Sequence, residues 1–390
     1  MLAENFEARL FFRRAFFLSV YPCKLLRMRI LQVSSAKTYG GGERHLVDLS
    51  RQLQKRGHEI FIALRPTNDW EDRLDFIPTE NFLHVSIRNS FGMFSAKRIG
   101  RFLKDKQIDI IHAHVARDYL AASIACRIAE NSKFVLTRHV LFSMKPFHKF
   151  ALRNVDAAIA VSQGVSEQLE KIFPKKKIYI IPNGLIMHDA SDRERLGREF
   201  RELHHIPLDA PLVGTVGELK PLKGQRDFVL AASEIVKTLP DCRFVVAGKD
   251  NTIDQKFRRE LKRLVKVFEL DDRFLWLDWV EDLSPLLSAL DVFVSPSHSE
   301  SFGLAILEAM ANQTAVIATA TDGAQDLLAD ETLIVPVADP VGLATAITDI
   351  VSDKTKCRQI GDTLGDLARE RYSLERMVTA TSDLYSQICG

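Results

Sequence analysis

Cysteine is scarce in this chain of 390 residues. The five present, Cys23, Cys126, Cys242, Cys357 and Cys389, show neither C-x-x-C spacing nor a close His/Cys pairing. That pattern argues against a disulfide framework and a zinc site, and it points to a reducing, cytoplasmic setting. Surplus charge is lacking too, since 53 basic and 51 acidic residues leave a net +2. So small an excess excludes nucleic acid as the main partner and makes any basic surface local. The amino-terminal stretch has no long apolar run: its longest, 15–21, falls far short of the roughly 20 residues that span a bilayer. No small-residue cleavage site follows, which argues against a secretory signal. Residues 1–27 mix phenylalanine and leucine with Arg9, Arg13, Arg14, Lys24 and Arg27, and two readings stay open: an interfacial anchor, or an extension upstream of a true start at Met28.

What is present is ample core: 46% of residues are hydrophobic and 27% charged, the profile of a globular chain of two or three domains. From Arg29 onward, short runs rich in valine and isoleucine alternate with longer amphipathic stretches, the signal for parallel strands joined by helices. Strands are expected at 29–34, 59–64, 109–114, 133–138, 156–161 and 177–182, with a helix after the first that buries Leu46, Leu49 and Leu53 and stops at Gly57. A charged segment without strand-like runs, 191–209, reads as a linker. The alternation then restarts with strands at 211–217, 242–248, 273–277, 291–296, 314–319 and 332–337. The domain plan is therefore the extension 1–27, a first α/β domain 28–190, the linker 191–209, a second α/β domain 210–372, and a helix over 373–390 that packs across the domain junction. In open sheets of this kind ligands sit beyond the carboxyl ends of the strands, so a cleft between two such domains is the natural active site.

Three loops carry residues suited to a phosphorylated ligand. YGGGER follows the first strand, and its glycines, Gly41 and Gly42 among them, let backbone approach a phosphate at a helix start. A dinucleotide enzyme is the rival reading, but the G-x-G-x-x-G spacing is missing and no acid closes the second strand, where Arg65 alone could serve an NADP phosphate. VGELKPLKGQ opens the second domain with Lys220 and Lys223 beside a helix start, a diphosphate site that needs no metal. In SHSESFGLAILEAM, Glu300 lies in a loop, Phe302 and Gly303 offer backbone N–H groups at a helix start, and Glu308 lies about a turn and a half further in. Carboxylates repel phosphate, so the two glutamates suit sugar hydroxyls, Glu308 those of a ribose and Glu300 those of a sugar across the phosphates.

ESFGLAILE resembles the E-x7-E signature of the retaining glycosyltransferases of family 4, which have the GT-B architecture of two facing Rossmann-like domains. YGGGERHLVDLSRQLQKRGHEI, DIIHAH, LTRH, AIAVSQGV, IIPNG, VGELKPLKG and VIATATDGAQDLL follow in the family order, covering roughly 29–375. The resemblance implies transfer of a sugar from a nucleotide-diphosphate donor, with retention of configuration and no catalytic metal or other cofactor. It places the donor-sugar contact on Glu300, the ribose contact on Glu308 and the diphosphate contact on Lys223. It also places a sugar-binding histidine on His139, and the loop near the phosphates and acceptor on Gly41 and Gly42. The implied partners are a nucleotide sugar and a glycan or lipid-linked acceptor in envelope polysaccharide or lipopolysaccharide assembly, at the inner face of the cell membrane.

The chain also departs from the family. Glu218 stands where the family usually has arginine, a charge that opposes a diphosphate unless Lys220 takes over. The usual paired glycine after VIAT is reduced to Asp322 and Gly323, and Asp326 replaces a glutamate. A nucleotide-sugar epimerase, a disaccharide synthase or phosphorylase, and a catalytically silent membrane scaffold remain as alternatives. His112 and His114 are expected to face opposite sides of one strand, as structural residues. Of two basic amphipathic stretches, 144–155 suits contact with anionic lipid or a lipid-linked acceptor. The other, 256–268, reads as a solvated face over a core stripe of Phe257, Leu261, Leu264 and Phe268.

Overall fold

The computed structural model describes residues 27–87, 92–187, 190–328 and 330–390. Nearly all of the extension 1–27, with both of its readings, lies outside them.

The first domain is a seven-stranded sheet of order β3-β2-β1-β4-β5-β6-β7. Its strands are β1 (Arg29–Ser34), β2 (Glu59–Leu64), β3 (Phe82–His84), β4 (Ile110–Ala113), β5 (Lys133–Arg138), β6 (Ala157–Ala160) and β7 (Ile178–Ile180). The second is a six-stranded sheet, β10-β9-β8-β11-β12-β13. It is built from β8 (Leu212–Val216), β9 (Arg243–Ala247), β10 (Phe274–Leu277), β11 (Val292–Ser295), β12 (Ala315–Thr319) and β13 (Ile334–Val335). Every pair is parallel, for example Ile30 opposite Ile60 on one side and Ile110 on the other. Each sheet has the doubly wound order, reversing direction between its first and fourth strands, where such sheets bind ligands.

The strands form because their runs are apolar on both faces, as helix-covered parallel sheets require. The helix Gly41–Lys55 buries Leu46, Leu49 and Leu53 completely against the first sheet. Each burial contributes about 1.5–3 kcal/mol. Gly57 follows at φ +92, a left-handed position that stops this helix at little cost to glycine. In the second domain the helix Lys256–Val267 buries Phe257, Leu261 and Val265. Phe268, expected in that stripe, is instead exposed, because the helix ends one residue earlier and Val265 takes the inward position.

Two segments differ in character from a simple chain of elements. Residues 191–209, expected as a linker, contain the helix Arg193–Leu203, which packs on the helix Ser284–Ala289 of the second domain. Arg201 fixes it there: its buried guanidinium donates to the carbonyls of Pro207, Ala210 and Ala289 and lies 3.0 Å from Asp291. The helix Leu374–Cys389 returns to the first domain, where Met377, Val378 and Tyr385 join Met28, Ile30 and Leu46 in one core. Its Tyr385 hydroxyl shares a 2.5 Å hydrogen bond with His112 Nδ1. Among the described residues no helix is long and apolar enough to cross a membrane.

Candidate active site

The loops singled out by sequence all leave carboxyl ends of strands, and the fold brings them to one cleft. The glycine loop follows β1 and the His139 loop follows β5. The lysine loop follows β8 and the Glu300 loop follows β11. The helix expected near Glu43 starts two residues earlier, so Gly41 and Gly42 form its first turn. A Cβ on Gly41 would lie 2.6 Å from the Cδ1 of Leu304, the first residue of the opposing helix Leu304–Ala311, so a larger residue here would have to push that side chain aside. A Cβ on Gly42 would stand 3.7 Å from the His139 ring. Across the same gap the Ser301 hydroxyl donates to the His139 carbonyl at 2.6 Å. His139, Gly41, Gly42, Glu300 and Glu308 are thus assembled into one site from two domains.

Gly224 sets the second-domain half. It lies at φ +67 with the carbonyl of Pro296 only 1.8 Å from where a Cβ would be, so the lysine loop presses onto the end of β11. Lys223 in consequence reaches Glu300 and forms an ion pair with it. Phe302 is buried, Gly303 lies at φ +92, and no side chain caps the helix that begins at Leu304. Its first N–H groups are free of side-chain acceptors, a favourable position for an anion. Lys220 does not stand free: its ammonium lies 2.6 Å from Glu218. Burial disfavours the Glu218 carboxylate, but hydrogen bonds from Lys220 and Asn251 outweigh that and hold its pKa below the usual range. The unusual acid is therefore neutralised by the lysine expected to compensate for it.

Glu308 is paired with a residue that sequence reasoning missed. Arg44, from the first turn of the glycine-loop helix, crosses the cleft and forms an ion pair with it. Only 13% of the Glu308 side chain is exposed against 41% for Arg44. Burial raises the Glu308 pKa, and Arg44 opposes the rise. The signal for Arg44 was its place directly after GGGE, at the same helix start as the glycines, but a contact made by domain closure has no local signature.

Four histidines lie behind this wall. His112 and His114, expected on opposite faces, share one: residues two apart in a strand return to the same side, and their rings are 4.1 Å apart. His112 is satisfied by Tyr385 and Thr137, whereas His114 is bonded only through Nε2, to Gln32. Burial, with repulsion from His45, His112 and Arg138, holds His139 well below the normal pKa, so its ring is neutral near pH 7. Burial likewise lowers His45 to about 4. Nδ1 of His45, Nδ1 of His114 and Nε2 of His139 have no hydrogen-bond partner. Ligating atoms of these three rings lie within 4.8 Å of one another, the one such group among the described residues. Tetrahedral zinc needs ligand atoms about 3.3 Å apart, given bonds of about 2.0 Å, so these rings would have to draw together to hold it. As they stand, they offer a neutral hydrogen-bonding floor.

Residues 39–187 match the family model described as Glycosyltransferase Family 4, and residues 198–363 match Glycosyl transferases group 1. The chain belongs to glycosyltransferase family 4. This glycosyltransferase is 27% identical over 358 residues to the lipopolysaccharide core biosynthesis glycosyltransferase LpsE of Rhizobium meliloti, covering 90% of this chain and 95% of the relative. Its fold matches a glycosyltransferase from Rickettsia africae with a TM-score of 0.83 at 23% identity, over 93% of this chain and 99% of that one. It also matches Anabaena Alr3699/HepE in complex with UDP, with a TM-score of 0.81 at 21% identity, over 92% of this chain and all of the other. The two facing doubly wound domains of the glycosyltransferase are accordingly the GT-B architecture expected from sequence.

Proposed function

We propose that this glycosyltransferase moves a sugar from a nucleotide-diphosphate donor to a glycan or lipid-linked acceptor, with retention of configuration, in the assembly of envelope polysaccharide or lipopolysaccharide. One observation carries the reading: Glu300, Lys223, Glu308 and an uncapped helix start face Gly41, Gly42 and His139 across a single cleft. In this reading Glu308 takes the ribose hydroxyls, and Lys223, the helix start at Phe302 and Gly303, and Lys220 take the diphosphate. Glu300 orients the donor sugar and His139 hydrogen-bonds to it as a neutral ring. The bond from the anomeric carbon to the diphosphate oxygen breaks and a bond to the acceptor oxygen forms on the same face. The acceptor proton passes to the departing diphosphate. Lysine charge and helix dipole stabilise that leaving group electrostatically, and no metal is required. The LpsE relative supports an envelope substrate, and the HepE complex supports a nucleotide donor.

Peripheral contact with anionic lipid is part of the proposal. Phe142 is 73% and Phe150 71% exposed beside Lys145, Lys149 and Arg153, a mixture of aromatic and basic groups suited to a charged interface.

The test is thermal stability with UDP, GDP, ADP, CDP and dTDP in the presence of EDTA. A nucleotide at a hundred times its dissociation constant adds about 2.7 kcal/mol. One of the five should stabilise the chain, and Glu300→Ala should keep that shift, since it frees Lys223, while losing transfer. A chain blind to all five would favour a silent scaffold, with Glu218 holding Lys220 away from phosphate. Donor turnover without acceptor would favour an epimerase.

A further inference from the structure

A second cationic site lies in the first domain, at the end of the strand that leads into His139. Arg138 ends β5 immediately before His139, and only 3% of it is exposed. Its terminal nitrogen donates to the Phe142 carbonyl, its Nε has no partner, and none of the described carboxylates pairs with it. Asp118 accepts instead from the Ser35 N–H at 2.8 Å. A buried guanidinium without a counter-charge is expensive, and such groups are normally paired. Arg138 lines a pocket of about 180 Å³ together with Tyr119, Ser143, Met144, Lys145 and His148. Lys145 has no acidic partner either, and His148 Nδ1 lies 3.0 Å from the Lys145 carbonyl.

We propose that this pocket binds a phosphate monoester carried by the acceptor, which rests on the glycosyltransferase reading above and names the class of acceptor. Charge favours phosphate over carboxylate. Arg138 and Lys145 supply two positive charges that no side chain balances, and a phosphate monoester brings about −1.5 to −2 with three acceptor oxygens. Arginine and lysine also suit that group geometrically, one as a fork and the other as a point charge. The volume exceeds that of phosphate alone and leaves room for part of the sugar that bears it. Because Arg138 adjoins His139, whose carbonyl is held by Ser301 next to Glu300, an acceptor anchored there would extend towards the reacting carbon. His148 provides an internal reporter: burial, with Arg138 and Lys145 nearby, lowers its pKa, and an anion beside it would raise it again.

The experiment follows the His148 ring by NMR in the full chain, with the stabilising nucleoside diphosphate present in excess to fill the donor site. Inorganic phosphate, glucose 6-phosphate, glucose and acetate are titrated separately. The expected result is a saturable shift and a raised His148 pKa with both phosphates, tighter for the sugar phosphate. Glucose and acetate should have no effect. Affinity should fall at least tenfold in Lys145→Ala, an exposed position, and at least as much in Arg138→Gln if that variant folds. Binding of free phosphate but not of glucose 6-phosphate would overturn the acceptor role, and no shift with either would overturn the site. A chain that binds a nucleotide but no phosphate leaves the transferase reading standing without this inference. One that binds phosphate here but no nucleotide would keep the anion site and overturn its acceptor role.

Discussion

Replacing Glu308 by glutamine tests the site at its most buried charge. The carboxylate is 13% exposed and paired with Arg44, so a ribose must displace that arginine before its hydroxyls can donate to Glu308. A hydrogen bond to a charged acceptor is worth about 1.5–3 kcal/mol, and glutamine keeps one acceptor oxygen while replacing the other by a donor. Loss of one such bond weakens nucleotide binding about 10- to 150-fold. Arg44 is 41% exposed and returns easily to water, so its pair with Glu308 costs the incoming ribose about 1 kcal/mol. Arg44→Met should therefore tighten binding several-fold, and the double variant should bind like Glu308→Gln alone. Calorimetric titration of wild type, both single variants and the double variant closes the cycle. An unchanged dissociation constant in Glu308→Gln, in both backgrounds, would refute the ribose role. Weaker binding in Arg44→Met would mean that Arg44 itself turns to the nucleotide.

Two further outcomes follow from geometry elsewhere. Burial raises Asp118 to about 6, so the folded state holds its proton more tightly than the unfolded chain does. Its contribution favours folding below about pH 4 and is lost as pH rises through about 6, a change of about 3 kcal/mol. Urea midpoints from pH 4 to 8 should show that slope in wild type and its absence in Asp118→Asn; parallel curves would contradict it. Gly224→Ala should cost at least about 2 kcal/mol and abolish nucleotide binding, since φ is +67 and the Pro296 carbonyl would lie 1.8 Å from the new carbon. A folded variant of wild-type melting temperature that still binds nucleotide would show that the lysine loop tolerates displacement.

The central strands were legible because parallel sheets write themselves as apolar runs, and RILQVS, EIFIAL and KFVLTR are found at the expected bounds. β3 was not, since three residues at a sheet edge carry too little pattern. The helix Arg193–Leu203 within the expected linker was not legible because its inward face is held by Arg201, a residue whose burial depends on carbonyls at 207, 210 and 289. Glu300, Glu308 and Lys223 could be singled out from spacing and resemblance, and the fold does bring them to one cleft. Arg44 and Ser301 could not, because their contacts run between domains and arise only when the cleft is closed.

The return of helix Leu374–Cys389 has a consequence for biogenesis. During synthesis the first sheet is complete at β7, yet the residues that finish its core, Met377, Val378 and Tyr385, come nearly two hundred positions later. At about 5–20 residues per second, the nascent first domain waits on the order of 10–40 seconds with that groove open. In the interval, ribosome-bound chains should be captured by chaperones and cut by protease along the Met28–Leu46 surface. Protection should appear only once the second domain has been made and its final helix has swung back.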